Sequence, residues 1–377
     1  MIFSVKDYGA VGDGSTDDTA AINSAITDLK TSNIGGKLYV PGGRYNVSAL
    51  LPASMAASQS FVVFGDAPEL SSIVATTSAG LFDVSFPKST YAGKRASIGA
   101  EDISFQTAIG NSGPAFKCTS SDGSDSGPVK YIENVTFSGT GGGLGGYFNK
   151  AVQMIDCTFP LIRACKFQGY NSGLSTFFGT ALDISSALGQ PVDHLINNCH
   201  FRDVDISLNI TGYVEGVYVD QSPMVGCNYG IVWNSTGSGK RPLLKVTGQH
   251  INAKKGCIKT TDVSQLIIHE NLLYGMTDGT TYDWIGISVN NTVIGADRNS
   301  IIGNTIQVNG TNTHARNGMV CQNMRNSIIA LNQIDNVDTG IWLQNGTNTN
   351  KVLDNTVTNF AAFSVYNQGT NNTIRPV

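Results

Sequence analysis

The chain has 377 residues, a net charge of −4 and a charged fraction of only 14%, against roughly 25% in an average soluble protein. Lys and Arg form no stripe, which excludes nucleic acid as a partner because phosphate binding needs clustered cations. No apolar run approaches the roughly 18 residues a membrane span requires, so a membrane-embedded chain is excluded as well.

The first residues already follow a strand pattern at Phe3 and Val5, leaving no room for a signal peptide. A chain kept inside a cell (cytoplasmic), built into a virion or trimmed from a longer secreted protein is therefore expected. Ser15 or Thr16 can cap a helix whose first turn holds Asp17 and Asp18 against the positive end of the helix dipole. Ile22, Ala25, Ile26 and Leu29 follow at helical spacing and make one apolar stripe. Such a helix suits a lid over the first coil of a stacked sheet, and the two acids are explained by local electrostatics rather than catalysis.

The run Val5-Lys6-Asp7-Tyr8-Gly9-Ala10-Val11-Gly12-Asp13-Gly14-Ser15-Thr16-Asp17-Asp18-Thr19-Ala20-Ala21-Ile22, followed by Gly35-Gly36-Lys37-Leu38-Tyr39-Val40-Pro41-Gly42-Gly43-Arg44-Tyr45, resembles the opening of the pectate-lyase-like superfamily, also called pectin lyase-like. The resemblance is close over residues 4 to 48 and implies an all-β fold, a single-stranded right-handed parallel β-helix with a short N-terminal capping helix. Residues 1–50 would be the capping segment and 51–377 the helical body. The superfamily scaffold carries lyases, hydrolases, epimerases, transferases and attachment proteins, so it does not fix the activity. The Asn-Thr-Asp, Asp-Asp and Gly-His-Gly motifs of polygalacturonases are missing from the body, as is the Asp-Pro-His motif of alginate epimerases.

From about residue 115 a short phrase, a small residue before alternating apolar ones, recurs at Gly230-Ile231-Val232-Trp233, Gly256-Cys257-Ile258-Lys259, Gly286-Ile287-Ser288-Val289, Gly318-Met319-Val320-Cys321 and Gly340-Ile341-Trp342-Leu343. Its irregular period of roughly 20 to 35 residues is that of a solenoid with variable loops. An interleaved Asn phrase at Asn134, Asn198, Asn271, Asn304 and Asn355 predicts bends in left-handed backbone geometry, with amides stacked along the axis. Cys118, Cys157, Cys165, Cys199, Cys227, Cys257 and Cys321 show no metal spacing and read as buried thiols, so neither metal nor cofactor is expected. An outward Val232, Ile258, Val320 or Trp342 would make an exposed apolar stripe. That stripe predicts a homotrimer, as in the phage tailspikes that share the opening motif.

Candidate chemistry concentrates between His200 and Trp284. Asp220, Glu215, Asp203 and Asp205 are the candidate catalytic carboxylates, two of which could flank a glycosidic bond. His200, Arg202, Tyr218, His250, Lys254 with its neighbour Lys255, Tyr282 and Trp284 are the candidate substrate-binding residues, the last two as stacking platforms for sugar rings. The leading expectation is an endo-acting glycoside hydrolase of phage-tailspike type on a polysaccharide or oligosaccharide. Its alternatives are a polysaccharide lyase acting on a uronate-containing glycan, a fructan fructotransferase, and a spike that binds glycans without cutting them. Groove shape would depend on the loops Gly139–Phe148 and Met276–Trp284.

Overall fold

The computed structural model describes residues 1–87, 96–121, 128–141, 145–171, 177–235, 242–276, 282–292, 296–309 and 314–375. Of the two loops expected to shape a groove, 142–144 and 277–281 lie outside the described residues. The described residues fall into two compact units, one ending at Val204 and one beginning at Asp205. The fold is an all-β, right-handed parallel β-helix with one short α-helix near the N-terminus.

The α-helix Thr19–Thr31 buries Ile22, Ala25, Ile26 and Leu29, the stripe read from the sequence. Its start differs from expectation. Residues Asp13–Asp17 form a strand, and Asp18 occupies the N-cap position with no side-chain cap bond. The Asp18 carboxylate instead accepts the N–H groups of Val11 (2.6 Å) and Gly12 (3.1 Å), fixing the preceding turn. Asp17 does the tethering: it accepts the Thr19 N–H at 3.0 Å and the Ser48 hydroxyl at 2.6 Å. A carboxylate satisfied this way needs no further role, because charge-assisted hydrogen bonds account for it.

In the first unit four successive coils turn a corner at a residue in the left-handed region, Asp102, Asn134, Ala164 and Asn198 (φ 54°, 51°, 54° and 52°). The next residue points inward, giving a column of Ile103, Val135, Cys165 and Cys199, all 1% exposed or less. Two positions on, Phe105, Phe137, Phe167 and Phe201 are register partners. Parallel pairing puts like residues about 4.8 Å apart, close to the ring separation of stacked aromatics. The Phe137–Phe167 and Phe167–Phe201 centroids accordingly lie 4.9 and 4.8 Å apart, with planes tilted by 5° and 2°.

The second unit fills the same repeat position with amides. Corners at Gly248, Glu270, Gly303, Leu331 and Asp354 have φ between 53° and 69°, and each precedes a buried Gln249, Asn271, Asn304, Asn332 or Asn355. Asn271 donates its backbone N–H and its Nδ2 to Asn304 Oδ1 at 3.1 and 2.9 Å; Asn304 does the same to Asn332, and Asn332 to Asn355. The remaining amide proton of each goes to a backbone carbonyl, such as Asn304 Nδ2 to Ile268 O at 2.9 Å. The ladder is thus fully satisfied, the condition on which polar groups are tolerated in a core. Asn134 and Asn198 serve as bends, as expected, whereas Asn271, Asn304 and Asn355 are the ladder residues one place later.

Glycine in the recurrent phrase has a steric cause. A Cβ on Gly286 or Gly318 would lie 2.6 Å from the carbonyl oxygen of Gly318 or Gly340, respectively. The column that follows is inward: Ile231, Ile258, Ile287, Met319 and Ile341 are mutual register partners, each 1% exposed or less. Ile258 therefore does not belong to an outward stripe. The outward partners run Val232, Lys259, Ser288, Val320, Trp342 and Tyr366, and Val232 is itself buried. Charge and hydroxyl interrupt the column, which removes the continuous apolar surface that suggested a trimer. All seven cysteines are buried.

Candidate active site

The first unit holds three of the expected residues. His200 and Arg202 are exposed on the strand His200–Thr211. Asp203 has φ 54° and accepts Gln168 Nε2 at 2.9 Å, with Arg202 Nε 3.3 Å away. Asp203 thus marks a backbone irregularity within that strand and is held by Gln168 and Arg202.

In the second unit, Glu215 and Asp220 bound the strand Glu215–Asp220, both half-buried like Tyr218 between them. Asp220 Oδ1 accepts the hydroxyl of its register partner Thr247 at 3.2 Å, and Tyr218 is paired in register with Lys245. His250 is exposed at the start of the strand His250–Thr261. Two of the expected binding residues are placed otherwise. Lys254 is buried at 4% exposure, and Trp284 is a core residue at 1%, its indole N–H donated to Ala253 O at 3.2 Å. A ring so enclosed offers no face to a sugar.

Two of the expected residues, Asp205 and Tyr282, belong to one cluster in this unit. Asp205 Oδ1 accepts Asn228 Nδ2 at 2.7 Å. The neighbouring Tyr229 is half-buried, and desolvation, reinforced by the Asp205 charge, raises its pKa above the usual phenol value. Lys255 Nζ lies 4.3 Å above the Tyr282 ring and 6.0 Å from the Tyr229 centroid, while Lys259 Nζ lies 5.8 Å from Tyr229. Ammonium groups are attracted to aromatic faces, by about 0.5–2 kcal/mol depending on solvation, so the two rings hold the lysines in place. The cluster combines a carboxylate that can take a proton, a phenol that keeps its own at neutral pH, two cations and an exposed ring.

Asn228, Tyr229 and Lys259 were not among the residues expected from sequence, although the repeat carries a partial signal for Tyr229. Tyr229 and Lys255 each stand one place before the small residue of the phrase, Gly230 and Gly256. The register shifts of this strand pair, which set Tyr229 against Gly256 rather than Lys255, are what that phase does not reveal.

Residues 2–115 match the family model described as rhamnogalacturonase A/epimerase, pectate lyase-like. Mannuronan C5-epimerase AlgE3 of Azotobacter vinelandii is 56% identical over 48 residues, which are 13% of this chain and 3% of that protein. Among solved structures, the A-module of the A. vinelandii mannuronan C-5 epimerase AlgE6 superposes with a TM-score of 0.61 at 19% identity, covering 99% of this chain and 98% of that one. The Streptococcus pneumoniae surface protein and adhesin PfbA superposes with a TM-score of 0.52 at 14% identity over 100% of both chains. At such identities the structural likeness carries the fold and not the activity. The opening segment thus matches the pectate lyase-like family model, and the chain as a whole shares the right-handed parallel β-helix fold of these structures.

Proposed function

We propose that the protein is a polysaccharide-active enzyme that works by proton transfer on a uronate-containing glycan, as a lyase or an epimerase, with residues 1–50 as its end cap. The observation that carries this reading is the cluster of Asp205, Tyr229, Lys255 and Lys259. A proton next to a carboxylate becomes removable when cations neutralise that carboxylate, the general logic of electrostatic stabilisation where charge develops. Lys255 and Lys259 would neutralise the sugar carboxylate while Asp205 takes the C5 proton. Tyr229 would then protonate the glycosidic oxygen as the C4–O bond breaks, leaving an unsaturated sugar. Alternatively it would return a proton to the opposite face of C5, leaving the epimer and an unbroken chain. The name of the relatives that share the opening segment, mannuronan C5-epimerase, agrees in substrate class.

A glycoside hydrolase needs two carboxylates flanking one bond, and among the described residues this cluster supplies one, Asp205. Incubation with polymannuronate, polyguluronate and polygalacturonate in D2O tests the proposal, since an epimerase leaves deuterium at C5 and a lyase leaves a C4–C5 double bond. Ultraviolet absorbance of unsaturated ends then separates lyase from epimerase. New reducing ends with neither unsaturation nor deuterium would establish the hydrolase instead. Retained binding with no chemical change would establish the non-catalytic glycan-binding spike.

A further inference from the structure

The core of the first unit holds two thiols that none of the chemistry above uses. Cys165 and Cys199 stand on adjacent coils, bracketed by the register partners Arg163 with Asn197 and Lys166 with His200, so one lies directly opposite the other. Both are thiols, and both are fully buried. Each follows a corner residue of the same left-handed geometry, Ala164 (φ 54°) or Asn198 (φ 52°), so the two coils repeat one another through this stretch. The rings two places on measure the step between them: Phe167 and Phe201 are 4.8 Å apart, with planes tilted by only 2°. The same step carries Cys165 onto Cys199.

Disulfides join residues whose Cα atoms are roughly 4.4–6.8 Å apart, and a coil step of that size lies inside the window. The two Cβ atoms need close by only a few tenths of an ångström to reach the roughly 3.5–4.5 Å of a bonded pair. The sulfurs already lie along the stack. Cys199 Sγ is 3.6 Å from Ile162 O, a carbonyl of the coil that carries Cys165, and Cys165 Sγ is 3.4 Å from Ile132 O, one coil further back. Both lean the same way, so it is Cys165 that must turn, by rotation about χ1, to meet Cys199.

We infer that Cys165 and Cys199 are a disulfide-forming pair, a covalent staple between adjacent coils that closes when a thiol–disulfide oxidant such as oxidised glutathione reaches them. The neighbouring Cys165 thiol holds the Cys199 pKa below the ordinary thiol value, while burial pushes that of Cys165 up, so Cys199 is the one that attacks. Its sulfur bonds to one sulfur of the oxidant and expels the other as a thiol; the Cys165 sulfur then bonds to Cys199 and expels the second thiol. Two cysteine protons leave on the two released glutathiones, and the two electrons lost by the cysteine sulfurs reduce the oxidant. The product is neutral, which suits the apolar column of Ile103 and Val135 in which the pair stands. Because both sulfurs are buried, the oxidant meets them while the chain folds or opens locally. The staple uses none of the residues of the proton-transfer cluster and is independent of it.

The full chain made in a reducing cytosol and the same chain exported to an oxidising periplasm provide the test, each unfolded in an alkylating agent, digested with trypsin and weighed by mass spectrometry. In the exported protein the peptide Ala164–Lys166 should be joined to Phe167–Arg202, with Cys118, Cys157, Cys227, Cys257 and Cys321 alkylated. In the cytosolic protein every cysteine should be alkylated. The exported protein should also unfold at a higher urea concentration than the same protein given dithiothreitol in urea, since a crosslink removes freedom from the unfolded chain. Exported Cys165→Ala should lose that dependence on reductant. Should the exported chain fail to fold, cytosolic protein held with oxidised glutathione in urea just below its unfolding midpoint should yield the same joined peptides, which decides the matter without export. Alkylation of every cysteine in all preparations, or a bond that joins another pair in place of this one, would overturn the inference.

Discussion

Tyr229 is the residue on which the proposed chemistry turns, because its raised pKa keeps a transferable proton on the phenol at neutral pH. Tyr229→Phe should lower kcat about 100-fold, a typical general-acid contribution, with little change in KM, whereas Lys255→Met should act on KM as well. The phenol is needed in its protonated form, so the alkaline limb of the kcat profile should lie above the ordinary tyrosine value of about 10. A limb well below that value in a stopped-flow pH series would assign the proton to another group. Sequence reasoning reached Asp205 and Tyr282 here but misjudged Lys254 and Trp284, for identifiable reasons. Ala253 faces inward, so strict alternation sends Lys254 out; yet Lys254 is buried, and by Ile258 the inward phase has shifted. The partner strand carries register shifts at Val225, Cys227 and Tyr229, an irregularity that no side-chain pattern announces. Trp284 sits beside polar loop residues, and only the carbonyl of Ala253 explains why its indole turns inward.

Among the elements, the helix cap was legible because its apolar stripe has one period and one place to go. Its first turn was not, because Ser15 and Thr16 were equally good capping residues on paper, whereas the helix begins only at Thr19, with Asp17 tied to the distant Ser48 and Asp18 to the Val11–Gly12 turn. The hydrogen bonds from Ser48 and Thr19 lower the pKa of Asp17. Its contribution is therefore complete above the unfolded carboxylate value of about 3.9 and is lost as pH falls through the lower folded value. The difference in melting temperature between the parent and Asp17→Asn should be present at neutral pH and vanish in strong acid; a pH-independent difference would show that the charge is not what tethers the helix. In the amide ladder, Asn304→Ala would strip Asn271 of the acceptor for two donors and Ile268 O of a donor. Each buried group left unsatisfied costs about 1–3 kcal/mol, so urea melts should show at least that loss. Asn-rich phrases revealed that a ladder existed, but not that the residue after the bend, rather than the bend itself, would carry it.

At the scale of the whole molecule, one repeat position is filled by Ile, Val and Cys beside stacked Phe in one unit and by hydrogen-bonded amides in the other. A stripe interrupted by Lys259 and Ser288 gives no continuous apolar seam, so light scattering should return the mass of a single chain, 39.9 kDa; a threefold mass would restore the expectation of a trimer. Because the amide ladder repeats the same donors and acceptors at every rung, the spacing between rungs is a unit of construction. Asn304 and Asn332 are 28 residues apart, and excising residues 304–331 would present Asn332 to Asn271 with the contacts that Asn304 makes now. One rung of the second unit is thus an interchangeable cassette. Its removal should yield a shorter protein with an unchanged circular-dichroism signature per residue, a route to making the molecule to length.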